Sequence, residues 1–108
     1  MISYDDFAKL EIRIGKILSV EIIEDADKLL KLMVDVGEET PRQIVSGIRT
    51  YFKDPQVLVG IHCPFLTNLE PRVIRGHESQ GMILAASHDD ALGLLNPSVT
   101  LPPGTRIK

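Results

Sequence analysis

Apolar and polar residues alternate through the first third of the chain, and this pattern limits the possible folds more than any other feature. The apolar members form two groups, Leu10, Ile12, Ile14, Leu18, Val20 and Ile22, followed by Leu30, Leu32, Val34 and Val36. A period of two is typical of strands that bury one face, so the pattern predicts two successive strands joined as a hairpin. The first group is long for one straight strand, and Gly15 in its middle predicts a bend or bulge. A curved first strand favours a closed barrel.

Shorter elements complete the predicted fold. Ser3 and Asp6 have the spacing of a helix start. The remaining predicted elements are a third strand over 41–47, a short helical crossover over 48–52, a buried fourth strand over 57–65, an apolar strand over 82–87, and a tail over 92–108 that Pro and Gly interrupt. This order predicts an all-β, OB-fold five-stranded Greek-key barrel with short helices at the N-terminus and after strand three. A small β-sandwich is the alternative.

Length and composition indicate a single globular domain over residues 1–108. With 108 residues the chain is long enough for one core, and its 44% hydrophobic and 25% charged residues are ordinary for a folded protein. Apolar runs are too short to span a bilayer, and acidic Asp5 and Asp6 stand where a signal peptide would carry basic residues, so we expect a cytoplasmic location. The single Cys63 predicts a buried small hydrophobe.

Charge and motif content argue against several functional classes. A net charge of −3 and a pI of about 5.5 disfavour nucleic-acid binding through bulk positive charge, but leave a local basic patch open. The three histidines, His62, His77 and His88, are not spaced as metal ligands, and no nucleophile elbow or phosphate-binding glycine loop is present. The sequence therefore predicts a binding module with no catalytic residues, metal or cofactor.

The stretch from Thr67 to Ala86 is the best candidate for a binding site. It contains an asparagine, two arginines, a serine and a methionine where a small β-domain would normally place core residues. Pro71, Gly76 and Gly81 within it favour turns. We expect these turns to hold the polar side chains outward.

Six sequence blocks in the same order resemble one known family. The blocks are D-F-x-K-L-x-I-R-I-G-K-I from Asp6, A-D-K-L from Ala26, V-D-V-G from Val34, R-Q-I-V-S-G-I from Arg42, N-L-x-P-R from Asn68 and S-Q-G-M-I-L-A-A from Ser79. Over essentially its whole length the chain resembles the tRNA-binding domain family. That family includes C-terminal (beta) domains of methionyl-tRNA synthetases, free-standing structure-specific tRNA-binding proteins, CsaA-type export chaperones and cytokine-precursor modules of eukaryotic synthetase complexes.

The resemblance implies an OB-fold that recognises the shape of tRNA without doing chemistry on it, either alone or beside a synthetase catalytic chain. By matching position it implies eight RNA-binding residues, namely Lys31, Arg42, Ser46, Asn68, Arg72, Arg75, Ser79 and Met82. Arginine suits phosphates because its planar donors engage two oxygens at once, whereas serine and asparagine can bond sugar or base edges.

Two departures from the family pattern add negative charge. Glu24-Asp25 stands where many relatives have His-Pro, and Glu70 stands where many have lysine. We therefore expect modest RNA affinity, carried by the remaining arginines. A CsaA-type chaperone that binds unfolded polypeptides is the alternative function.

Two further expectations concern assembly and the arginine pair. The resemblance and the apolar segments Leu94-Leu95 and 99–103 predict a homodimer. Arg72 and Arg75 are three residues apart, so on a flat strand they would point to opposite faces. We expect them to reach neighbouring phosphates only if the chain bends at Val73-Ile74, a bend that Gly76 favours.

Overall fold

A computed structural model of the chain describes residues 1–108 and contains one short helix, two 3₁₀ turns and nine strands. The helix, α1, spans Tyr4–Ala8, and the 3₁₀ turns span Arg49–Tyr51 and Pro55–Leu58. The strands are β1 Ile12–Ile22, β2 Leu30–Asp35, β3 Arg42–Ser46, β4 His62–Leu66, β5 Arg72–Ile74, β6 His77–Ser79, β7 Met82–Ile83, β8 Ala85–His88 and β9 Ala91–Leu94. No helix is long and apolar enough to cross a membrane.

Five strands form one antiparallel sheet in the order β3-β2-β1-β4-β7, which curls into a nearly closed barrel. The length of β1 allows it to serve two neighbours, because its first half pairs with β4 and its second half pairs with β2. Lys16, where the halves meet, lies opposite both Asp35 and His62. The predicted five-stranded barrel of the OB-fold type is confirmed.

The predicted irregularity in β1 exists, but not at Gly15. The register with β2 shifts between Ile17 and Ser19, which places a bulge at Leu18. A bulge reverses which side of a strand faces inward, so Ile17 and Val20 are both buried although they are three residues apart, and Leu18 between them is 40% exposed. Gly15 has a different role: a Cβ there would lie 2.7 Å from the ring of Phe65.

The barrel interior holds one apolar cluster. Its members are Ile17, Val20, Leu30, Leu32, Val34, Val36, Ile44, Ile48, Leu58, Cys63, Phe65 and Ile83. Cys63 is fully buried, as predicted, and burial raises the pKa of its thiol to about 12, so the thiol stays protonated at neutral pH.

Three predicted boundaries are corrected. Residues 57–58 belong to the second 3₁₀ turn, which buries Leu58, so β4 begins only at His62. The crossover is longer than 48–52, because this second turn follows the first. The predicted strand over 82–87 is interrupted at Leu84: β7 pairs with β4, whereas β8 turns away into a hairpin with β9.

The chain ends pack beside each other against β1. Ser3 and Asp6 form the predicted capping box of α1. The tail covers the edge of β1 that β2 does not reach: the Ile14 N–H donates to the Thr105 carbonyl at 2.8 Å, and the Ile107 N–H donates to the Ile12 carbonyl at 2.8 Å. An edge strand that would otherwise offer unpaired backbone groups is thereby closed.

Candidate nucleic-acid interface

The central stretch folds into a hairpin that the sequence did not reveal. Strands β5 and β6 pair in the register Arg72↔Ser79, Val73↔Glu78 and Ile74↔His77. The two-residue turn consists of Arg75 and Gly76, with φ values of 52° and 80°. Positive φ at both central residues is the pattern of a type I′ turn, which matches the twist of the strands it joins.

The hairpin lies against β3. Ile74 packs on a small cluster of Ile23, Ala26 and Val45, which brings the hairpin tip to the β1–β2 loop (residues 23–29). Leu32 and Ile44 pair across β2 and β3, and both face the core. Val45 and its partner Lys31 form the next pair along, so they face outward. The hairpin is therefore packed on the outer side of the barrel.

Polar contacts from the end of the hairpin close the barrel. The buried Ser79 hydroxyl accepts from the Val45 N–H and donates to the Gly81 carbonyl, each at 3.0 Å. The Gln80 N–H donates to the Gln43 carbonyl at 2.8 Å, and the Gln80 amide oxygen accepts from the Gln43 N–H at 3.0 Å. Both hydrogen-bonding functions of the Ser79 hydroxyl are thus used within the chain.

Arg42 joins three loops. Its guanidinium donates to both carboxylate oxygens of Glu38, at 2.7 and 2.8 Å, and to the carbonyls of Thr67 and Gln80. The hydrogen bonds between Arg42 and Glu38 lower the pKa of Glu38 and raise that of Arg42. Arg42 fixes the β2–β3 loop, the chain after β4 and the chain after β6 relative to one another.

The side chain of Asn68 is also hydrogen-bonded within the chain. Its side-chain oxygen accepts from the Glu11 N–H at 2.8 Å, and its amide donates to the Lys9 carbonyl at 2.7 Å. Both contacts lie at the connection between α1 and β1, so Asn68 anchors the N-L-E-P-R loop to the N-terminal segment.

Lys31 and Ser46 lie near the C-terminal end of β3, away from Arg42 at its start. The Lys31 ammonium forms an ion pair with Glu21 at 2.9 Å, directly across from it on β1. Ser46 lies opposite Leu30 and is separated from Arg42 by the length of β3, roughly 14 Å at about 3.4 Å per residue.

Arg72, Arg75 and Met82 are exposed, and neither arginine side chain has a hydrogen bond or an ion pair within the chain. Arg72 and Met82 share a narrow cleft of about 50 Å³ with Leu69, Glu70 and Ser79, among other residues. Leu69 also borders a larger cleft of about 410 Å³, whose lining includes Glu38, Arg42 and Gln80.

The structure therefore brings together only part of the predicted set. Arg72, Ser79 and Met82 line one cleft, and Arg42 lines the cleft beside it. The predicted bend at Val73-Ile74 does not occur: these residues continue a regular strand, and the chain reverses one residue later. Arg72 thus lies at the base of the hairpin and Arg75 at its tip.

Sequence reasoning missed the residues that hold this surface in place. The contacts come from the side chains of Glu38, Gln43, Thr67 and Gln80. The buried Thr67 hydroxyl, for example, donates to the Glu11 carbonyl at 2.8 Å. In the sequence, the only sign of this contact was a glutamine in each of the two segments that meet, R-Q-I-V-S and S-Q-G-M. No three His, Cys, Asp or Glu side chains are placed to hold a metal ion.

Comparison with known proteins agrees with this architecture. A methionine–tRNA ligase from Deinococcus radiodurans is 49% identical over 109 residues, a match that covers 100% of this chain and 16% of the ligase. The chain therefore spans about one sixth of the length of this curated relative.

Two solved structures match along nearly their full lengths. The MetRS related protein from Pyrococcus horikoshii superposes with a TM-score of 0.91 at 35% identity, covering 100% of this chain and 98% of that one. The chaperone CsaA from Bacillus anthracis superposes with a TM-score of 0.88 at 28% identity, covering 100% and 99%. Residues 12–106 match the family described as "Putative tRNA binding domain". The chain belongs to this tRNA-binding domain family.

Proposed function

We propose that the chain is a non-catalytic module that binds tRNA through the β5–β6 hairpin and the adjoining outer face of β2 and β3. The observation that carries this proposal is the pair Arg72 and Arg75, two exposed guanidinium groups without internal partners on a hairpin fixed to the barrel. Groups that are positioned but unpaired can engage phosphate oxygens without first breaking a contact.

The eight predicted residues contribute to this proposed function in two ways. Lys31, Arg72, Arg75 and Met82 face solvent wholly or in part and contact the RNA. Ser46 is half-buried and pairs with the buried Leu30, so it reaches the RNA from the end of β3 and not from the outer face. Arg42, Asn68 and Ser79 act mainly by positioning, because their polar groups already hold the loops that present the hairpin. Glu70 beside Arg72, and Glu24 and Asp25 on the β1–β2 loop, keep the affinity modest.

We further propose that the module works in the cytoplasm beside a synthetase catalytic chain. Several relatives that contain a matching segment are methionine–tRNA ligases, in which the segment makes up 14–16% of the length. A small binding module of this kind would raise the concentration of tRNA near a catalytic site that lies elsewhere.

The free-standing form of the chain is proposed to be a homodimer. An apolar groove of about 300 Å³ runs beneath the tail, lined by Ile14, Pro64, Leu95, Asn96, Pro97, Leu101, Thr105, Arg106 and Ile107. Leu95 in this groove is 47% exposed, and Val99 on the same tail is 64% exposed. A second copy of the chain placed over this groove would remove these side chains from water.

Polypeptide binding is the second candidate function, and the same groove favours it. An extended apolar segment of an unfolded chain could occupy the groove that a second copy would otherwise cover. The groove shares no residue with the β5–β6 hairpin, so polypeptide binding and tRNA binding can be measured separately.

The test is a salt titration with two probes, a labelled methionine tRNA transcript and a labelled unfolded polypeptide. If the proposal is right, the tRNA affinity falls steeply with salt, with a log–log slope of roughly 0.7–0.9 per phosphate contacted, because binding releases counterions. A flat salt response for tRNA, together with polypeptide capture that persists at high salt, would replace the proposal by the chaperone function.

A further inference from the structure

A third cleft opens where the β1–β2 loop meets the 3₁₀ turns. It has a volume of about 360 Å³ and is lined by Ile22, Asp27, Arg49, Thr50, Phe52, Lys53 and Pro55. None of these residues belongs to the eight that the family resemblance assigns to RNA. The volume is at the lower end of the range for small-ligand sites, about 300–1,000 Å³.

Opposite charges face this cleft without neutralising one another. No ion pair joins Asp27 to either Arg49 or Lys53, and Asp27 and Lys53 make no hydrogen bond through their side chains. Arg49 donates from Nη1 to the Ala26 carbonyl at 3.2 Å, which fixes the guanidinium to the β1–β2 loop and leaves its other donors free. The cleft thus presents two cationic donors and a carboxylate acceptor, each available to a ligand.

The combination of groups fits one nucleotide of RNA. Arg49 and Lys53 can donate to phosphate oxygens, and the Asp27 carboxylate can accept from a ribose hydroxyl. The side chain of Ile22 is 51% exposed and that of Phe52 is half-buried, so both offer apolar surface to the carbons of the sugar or the face of a base. A simple anion would leave Asp27 facing it unfavourably, whereas a ribose phosphate uses both signs of charge.

The position of the cleft connects it to the proposed RNA face. The β1–β2 loop contacts the hairpin through Ala26 and Ile74 on one side, and it borders the cleft through Asp27 on the other. Ile22, at the end of β1, is the neighbour of Glu21, which forms the ion pair with Lys31. An RNA strand on the hairpin and on β2 can therefore continue around the loop into the cleft.

We propose that this cleft binds a phosphate and ribose of the same tRNA, through Arg49, Lys53 and Asp27. This inference rests on the proposed tRNA binding. It extends the contact surface to the 3₁₀ turns and assigns an acidic residue a favourable role.

The experiment measures tRNA affinity for the wild-type chain and four variants in two matched pairs. Lys53→Ala is compared with Lys108→Ala, which removes the same charge far from the cleft. Lys108 follows Ile107, whose N–H donates to Ile12 at the start of β1, whereas Ile22 of the cleft is at its end. Asp27→Ala is compared with Glu24→Ala, which removes a negative charge from the same loop outside the cleft. Thermal unfolding of every variant checks that the fold is intact.

The expected result for Lys53→Ala is a three- to tenfold weaker affinity than for Lys108→Ala, with a log–log salt slope smaller by roughly 0.7–0.9. Asp27→Ala is expected to weaken binding at least threefold, because Asp27 accepts from the ribose, whereas Glu24→Ala tightens it, because Glu24 only repels the phosphates.

Equal affinities of Lys53→Ala and Lys108→Ala would overturn the inference while leaving the proposed function intact. Tighter binding by Asp27→Ala, matching Glu24→Ala, would overturn the ribose contact. Failure of the wild-type chain to bind tRNA would overturn the proposed function and the inference together.

Discussion

Glu38 and Arg42 show at the scale of single residues how this chain uses charge. Arg42 donates to both carboxylate oxygens of Glu38, and the same guanidinium donates to two backbone carbonyls. Arg42, the cationic residue of the R-Q-I-V-S-G-I block, therefore holds loops in position. Arg72 and Arg75 on the hairpin, by contrast, have neither an ion pair nor a hydrogen bond through their side chains, so the hairpin carries free positive charge.

The Glu38–Arg42 pair predicts an acid-sensitive contribution to stability. The hydrogen bond from Arg42 holds the pKa of Glu38 below its value of 4.5, so the folded state binds this proton less readily than the unfolded state. The stabilisation is then present above pH 4.5 and is lost as the pH falls through the lowered pKa. We expect Glu38→Gln to be less stable than the wild type at pH 7, and we expect this difference to shrink as the pH falls below 4.5, as measured by thermal unfolding. A stability difference that stays constant across this range would contradict the pairing.

Gly15 gives a second prediction at the scale of one residue. A Cβ at Gly15 would lie 2.7 Å from both Phe65 and Val34, whereas one at Gly47 would meet its nearest atom at 3.9 Å. We expect Gly15→Ala to lower the free energy of unfolding by about 1–3 kcal/mol through overpacking. Gly47→Ala, the matched control, should be neutral or slightly stabilising. Equal effects in chemical denaturation would show that the close approach to Phe65 is unimportant.

At the scale of elements, the hairpin depends on Ser79. Alanine at this position removes the acceptor of the buried Val45 N–H, and an unsatisfied buried donor costs about 1–3 kcal/mol. We expect Ser79→Ala to lose this much stability, and hydrogen exchange at the Val45 amide to accelerate. Ser87→Ala, on the exposed β8, should change neither quantity. Unchanged exchange at Val45 in Ser79→Ala would show that the Ser79 hydroxyl does not protect this amide.

The elements that the sequence predicts well are those with a clear period and a buried face. Strands β2 and β3 fall within their predicted ranges, and the capped helix α1 begins at the predicted Ser3–Asp6 start signal. The bulge was predicted at Gly15 but lies at Leu18, because its position depends on the pairing with β2. Gly15 is required instead by the close approach of Phe65, some fifty residues away in the sequence. The β5–β6 hairpin was missed because an arginine, instead of glycine or asparagine, opens its I′-like turn.

The candidate site was harder to predict than the fold. Motif matching identified the residue types but not their partners, and those partners come from distant segments: Glu38 for Arg42, Lys9 and Glu11 for Asn68, and Val45 for Ser79. The cleft between the β1–β2 loop and the 3₁₀ turns has no contiguous motif at all, because Asp27 and Lys53 come together only when the barrel closes.

At the scale of the whole molecule, the apolar groove beneath the tail predicts a homodimer. We expect sedimentation of the wild-type chain at micromolar concentration to give the dimer mass, and Leu95→Asp to give the monomer mass, since a buried unpaired charge opposes association. Val57→Asp, at a 58% exposed position on the second 3₁₀ turn, is the control and should stay dimeric. A wild-type chain that sediments as a monomer would contradict the proposed assembly.

The proposed RNA face also explains how a chain of net charge −3 can bind a polyanion. Several basic groups are paired with carboxylates on the barrel, as in Lys31 with Glu21 and Arg42 with Glu38. The arginines on the hairpin are not paired, so the local field there is positive although the average is negative. Binding should therefore depend on few residues and respond strongly to the loss of any one.

The most direct test of tRNA binding through the hairpin is the paired measurement of tRNA affinity and thermal stability for Arg72→Ala and Arg75→Ala, with Lys108→Ala as the charge-matched control. We expect each hairpin variant to lose about 1–3 kcal/mol of binding free energy, the range for hydrogen bonds to charged groups, with no change in melting temperature. The control should lose much less affinity. Lost stability with unchanged tRNA affinity would show instead that these arginines support the fold, and would contradict their assignment to the RNA face.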